Sequence, residues 1–158
     1  MKFSRTLLVI IMLLAGFGTA AHAGDNEDVQ AAIEKRWKEV RAKSIEPGFS
    51  NPDGAWMATS QGGLWQFLTP AQAASMITDA ATTMDVNPLH VNIRILGSGG
   101  DVAYATYYLV GNIRQNGEII VNNYRTRASE IYVKAGGAWI ISGSHYSPLF
   151  GGSGVVFE

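Results

Sequence analysis

The sequence predicts an α+β domain in which N-terminal helices pack on a strongly bent antiparallel sheet. Three observations carry that reading. Val29, Ile33, Trp37 and Val40 recur at helical spacing. From Leu89 the apolar period changes to two, with Leu89, Val91, Ile93 and Ile95 alternating with His90, Asn92 and Arg94. Three glycine-bearing turns then separate long strand-like runs, so successive strands are expected to fold back as a meander.

The first helix is expected over Asp25–Ser44, with Asp25, Glu27 and Asp28 at the start, where negative charge suits the helix dipole. Lys35, Arg36, Lys38, Arg41 and Lys43 load its later turns, and Pro47-Gly48 stops it. Ala55–Thr59 and Leu64–Leu68 form a short hairpin around Ser60-Gln61-Gly62-Gly63. Thr69 as N-cap and Pro70 at the first helical position open a second helix over Ala71–Thr82. The meander follows. Its first strand begins after Pro88, and Val102–Ile113, Glu118–Lys134 and Ala138–His145 supply the other three. Asn116-Gly117 is the strongest turn, because both residues tolerate positive φ. Glu118–Lys134 is far longer than a usual strand of about 5–6 residues, so it must bend, with a bulge. Ser147–Glu158 is a glycine-rich tail.

Residues 1–23 read as a secretory signal peptide and 24–158 as one domain. Lys2 and Arg5 precede an almost wholly apolar run from Thr6 to Phe17, and Ala21-His22-Ala23 has the small residues of a cleavage site. The apolar run of about 12 residues is too short for the roughly 20 that span a bilayer. Cleavage after Ala23 removes two basic residues and no acids, which leaves 10 basic against 13 acidic residues, a formal charge of −3. That balance gives no footprint for nucleic acid, and none for a membrane surface after cleavage. The chain has no cysteine, which excludes disulfides, thiolate metal sites and a lipidated-cysteine anchor. A hydrophobic fraction of 47% against 16% charged residues suffices for a packed core. The expected location is secreted, in the periplasm.

The order helix, short hairpin, helix, four-strand meander resembles the NTF2-like superfamily. The most specific segment runs from Tyr124-Arg125-Thr126-Arg127-Ala128-Ser129-Glu130 through Gly136-Gly137-Ala138-Trp139 to Ser144-His145-Tyr146-Ser147. It is similar to SnoaL-like and DUF4440-type domains, with an Arg-x-Thr/Ser, an apolar strand and a Gly-x-Trp turn. It also resembles the association (hub) domain of calcium/calmodulin-dependent protein kinase II. The resemblance implies a cone with an apolar mouth. In the hub, arginines line the pocket. Here Thr106, Glu130 and Tyr146 stand at about those positions, and only His145 and Ser147 carry over directly.

The mouth of the cone is therefore the expected site. His145 is the candidate acid or base, because an imidazole exchanges protons near neutral pH; the plainer alternative is that it ties strands together. Arg127 matches the family's Arg-x-Thr/Ser position and is assigned to the pocket, where a guanidinium suits a carboxylate or phosphate. Arg125 is assigned to the outer face; a plain strand puts Arg125 and Arg127 on one face and Glu130 on the other unless a bulge intervenes, and Glu130 is also a candidate ligand-binding residue. Tyr104, Thr106 and Tyr108 share one face; if it turns inward, Tyr104 and Tyr108 hydrogen-bond a ligand, and otherwise they are core aromatics. Trp37, Trp56 and Trp65 are expected as pocket or core walls, with Trp139 under its turn. His90 is expected in solvent, and two histidines do not make a metal site. No cofactor is implied.

Three functions follow from this reading. The first is a small-organic-ligand binder that forms a homodimer. The second is a SnoaL-like isomerase, cyclase or dehydratase using His145. The third is an oligomeric interaction module, with Ile120, Tyr124 and Tyr132 as its outward patch.

Overall fold

A computed structural model describes residues 17–149, with side chains from Gly24 onward. The basic start, nearly all of the apolar run and residues 150–158 of the tail lie outside the described residues. Helix α1 (Phe17–Ala42) begins upstream of the expected Asp25, consistent with the helix-favouring run Ala20–Ala23. It stops at Ala42 because Lys43 takes φ 53°, and Lys43 N–H bonds Val40 O at 3.1 Å. A 3₁₀ turn (Pro47–Phe49), strand β1 (Ala55–Ala58) and strand β2 (Gln66–Leu68) follow.

Helix α2 (Pro70–Thr78) opens with a capping box. Thr69 Oγ1 accepts from Gln72 N, and Gln72 Oε1 accepts from Thr69 N at 2.9 Å. It ends four residues earlier than expected, and β3 (Thr82–Leu96) starts at the β-branched pair Thr82-Thr83, six residues before Pro88. Pro88 is tolerated inside β3 because β3 is the edge of the sheet. Strands β4 (Val102–Gln115), β5 (Glu118–Ala135) and β6 (Ala138–Pro148) complete the meander. Asn116 and Gly117 both take positive φ, as the hairpin requires.

The six strands form one sheet in the order β2-β1-β6-β5-β4-β3. The sheet is mixed rather than wholly antiparallel, because β1 runs parallel to β6 with Met57 opposite Ser144. Register shifts occur between Leu89 and Asn92, around Ile113, and between Ile131 and Tyr132, and the long strands bend there. Val29, Ile33, Trp37 and Val40 of α1 pack on Val86, Leu109, Tyr132 and Ile141. Ala103, Ala105 and Ala128 in the same core are short enough to let the helix approach the sheet closely. Among the described residues, no helix is long and apolar enough to cross a membrane.

Candidate functional site

The inner face of the cone is set by strand parity. Ala103, Ala105, Tyr107 and Leu109 of β4 turn inward, as do Thr126, Ala128, Glu130 and Tyr132 of β5. Arg36 of α1 reaches the same space, because it falls within the stripe that contains Val29, Ile33 and Val40. Its guanidinium forms an ion pair with Glu130 Oε1. It also donates to Tyr107 Oη at 2.8 Å and to Tyr146 Oη at 3.2 Å. The Glu130 carboxylate accepts from Tyr132 at 2.7 Å and from Tyr146 at 2.6 Å. Trp37 Nε1 donates to Tyr107 Oη at 2.7 Å, and the Arg36 guanidinium lies over the Trp37 ring at 4.8 Å.

Both charges are buried, and each has the other as counter-ion, so the cluster is electrically neutral. Burial works against the Arg36 charge, but the Glu130 carboxylate and the surrounding tyrosine oxygens outweigh it and hold its pKa above the ordinary value. Burial raises the phenols of Tyr107, Tyr132 and Tyr146; the Glu130 carboxylate raises them further, and the Arg36 charge opposes. These three tyrosines are therefore proton donors or fixed dipoles at neutral pH.

Beside this cluster lies a cavity of about 690 Å³. Its walls are chiefly apolar, including Val40, Phe49, Leu68, Ile77, Met84 and Ile113. Arg36, Ser50, Ser144 and Tyr146 are its buried polar lining, while Asn123 and Arg125 stand at the exposed end. Arg36 Nε and Ser50 Oγ are buried without a hydrogen-bond partner among the described residues. Native proteins seldom leave such groups unmatched, so both mark places for a ligand or water. The described residues hold no group of three or more His, Asp or Glu placed to bind a metal.

The structure divides the sequence-predicted site residues between two faces. Trp37 and Glu130 belong to the cone, linked through Arg36 and Tyr107. Arg127, Tyr104, Tyr108 and His145 are on the outer face of the sheet, because each occupies the parity opposite to the buried residues of its strand. The assignment of Arg127 to the cone is thus corrected. Trp65 and Trp56 are also outside: Trp65 lies tilted against the His145 ring at 5.7 Å, and Trp56 meets Phe67 edge to face at 5.4 Å. Tyr108, Arg127 and His145 do meet, but in a separate outer hollow of about 530 Å³. The expected outward patch is also corrected. Tyr132 is buried in the core, Tyr124 lines the cone, and Ile120 stands at its mouth, still exposed. Asp85 lies within β3 and pairs with Arg114 at 3.2 Å.

Arg36 was missed because it reads as one of five cations on the later turns of α1. The signal was its position: seven residues after Val29 and four before Val40, it sits in the apolar stripe.

A scan against protein-family models and a search of curated proteins return no match. Solved structures do match. A candidate dehydratase of the NTF2-like family from Streptomyces avermitilis superposes with a TM-score of 0.65 at 14% identity, over 80% of this chain and 97% of that one. The hub homology domain of CamKII from Chlamydamonas reinhardtii gives 0.64 at 14%, over 80% and 99%. An NTF2-like protein from Novosphingobium aromaticivorans gives 0.61 at 15%, over 97% and 94%. Cone, helix placement and bent sheet together give this chain the NTF2-like fold, which kinase association domains share.

Proposed function

We propose that this chain is an exported, homo-oligomeric domain that binds a small organic ligand in its cone. One observation carries the reading: an apolar cavity of about 690 Å³ ends on a buried polar cluster, and its lining includes two groups unmatched among the described residues, Arg36 Nε of the cluster and Ser50 Oγ. The cluster also limits the ligand's chemistry. Glu130 already neutralises Arg36, so a second carboxylate would be buried without its own counter-ion. A neutral molecule with an apolar body and one acceptor, such as a ketone or ester, satisfies the free N–H at no charge cost.

The export component rests on Lys2, Arg5, the apolar run and Ala21-His22-Ala23. The oligomer component is supported by the kinase association domains of the same fold. It is also supported by an exposed row across the outer face, in which Tyr104, Ile131, Trp56 and Phe67 follow one another strand by strand with Gly143 between. The enzyme reading that uses His145 gains nothing from the cone, since His145 and Glu130 occupy opposite faces of the sheet.

A paired thermal-shift titration tests the ligand class. A medium-chain methyl ketone should raise the melting temperature saturably, and the carboxylate of equal length should not. Ile77→Trp, which fills the cavity wall, should abolish the ketone response. Equal shifts from both compounds, persisting in Ile77→Trp, would reject the reading.

A further inference from the structure

Four strands bring a second group of polar side chains together on the outer face. Asn92, Thr106, Ser129 and His145 are direct cross-strand neighbours in one row. Tyr108, Arg127 and Ser147 form the next row. The short side chains of Thr106, Ser129 and Ser147 leave room between taller neighbours, and the result is the hollow of about 530 Å³. His90 completes it. His90 stands at the register shift between Leu89 and Asn92 with φ 55°, a left-handed conformation that histidine tolerates better than most side chains, and its ring is edge-on to Tyr108 at 6.1 Å. Trp65 backs the His145 ring from β2's end of the sheet.

The chemistry of this lining is one-sided. It offers a guanidinium, two imidazoles and several hydroxyls, and no carboxylate. Among the described residues Arg127 has no ion-pair partner, unlike Arg36 and Arg114. Glu130, the nearest acid in sequence, points through the sheet to the opposite face.

We propose that this hollow is a second binding site, separate from the cone, for a small oxyanion: a carboxylate, phosphate or sulfate group. Arg127 takes two oxygens in its planar fork, and the imidazoles and hydroxyls donate to the remaining lone pairs. The register shift at His90 places a second imidazole in the lining beside His145. The two sites divide by charge. The cone holds a neutral acceptor against an internally compensated ion pair, and the hollow holds an anion against the Arg127 guanidinium, unpaired among the described residues.

Proton NMR of the histidine rings in the purified chain tests this directly. Acetate, inorganic phosphate and sulfate are titrated separately, with chloride added to keep ionic strength constant. The His90 and His145 signals should move together and saturate, and the anion that saturates at the lowest concentration identifies the preferred headgroup. Arg127→Ala should weaken binding at least about tenfold, and Arg127→Lys should fall between, because it keeps the charge and loses the fork. Arg94→Ala removes an exposed arginine of β3 that does not line the hollow, and it should leave the titration unchanged. Linear, unsaturated shifts would overturn the proposal. So would equal losses from Arg127→Ala and Arg94→Ala, or histidine signals that none of the three anions moves.

Discussion

Glu130 shows how one residue ties the fold to its site. Its carboxylate accepts from Arg36, Tyr132 and Tyr146, so removing it strands a buried guanidinium and two phenols. Glu130→Ala is expected to cost about 3–5 kcal/mol in chemical denaturation. The double change Arg36→Met with Glu130→Leu should recover part of that loss, since no unpaired charge stays buried, while Tyr132 and Tyr146 still lack their acceptor. A double variant no more stable than Glu130→Ala would mean that the stranded guanidinium is not the main cost. The tyrosines give a pH signature. Tyr107, Tyr132 and Tyr146 have folded pKa values above the unfolded value of about 10, so the folded chain holds these protons more tightly. Their stabilising effect is complete below about pH 10 and is lost as pH rises toward the folded values. Of the six tyrosines, these three should ionise only as near-ultraviolet circular dichroism collapses. Ionisation of all six in a chain that remains folded would contradict their burial.

At the scale of elements, the spacing of Val29, Ile33, Trp37 and Val40 and the Asn116-Gly117 turn made α1 and the meander legible before the structure. A period of two says which residues share a face, but not which face is inside. In β4 both faces carry apolar groups, Ala103, Tyr107 and Leu109 on one and Tyr104, Tyr108 and Val110 on the other, so the pattern has no vote. In β5 the buried charge of Glu130 sits on the inner face, against the usual rule that charges face water, while Arg127 obeys it. The parallel pairing of β1 with β6 joins residues about 87 positions apart and leaves no local mark in sequence. Gly111 is an element-scale constraint that the pattern also hid. A Cβ there would lie 2.0 Å from Asp85 O and 2.7 Å from the Val86 Cα, so β3 and β4 would have to part. Gly111→Ala should cost about 1–3 kcal/mol or more. Gly48→Ala, with open space around it, should stay within about 0.5 kcal/mol. Equal effects from the two would mean that the strands approach less closely than described.

For the whole molecule, the fold explains why one sheet can serve two surfaces. Its inner face is closed by α1 and organised by Arg36 and Glu130, and its outer face combines an apolar row with a basic hollow. Fold likeness at 10–16% identity shows the fold alone, and the proposed ligand class rests on the walls and the polar groups of the cone. The central claim is that the cone is occupied, and native mass spectrometry of the chain purified from its host tests it most directly. The account expects a homo-oligomer of chains beginning at Gly24, each carrying one small neutral adduct that is released on denaturation. A monomer that begins at Met1, or an adduct-free mass that no neutral host extract changes, would contradict it.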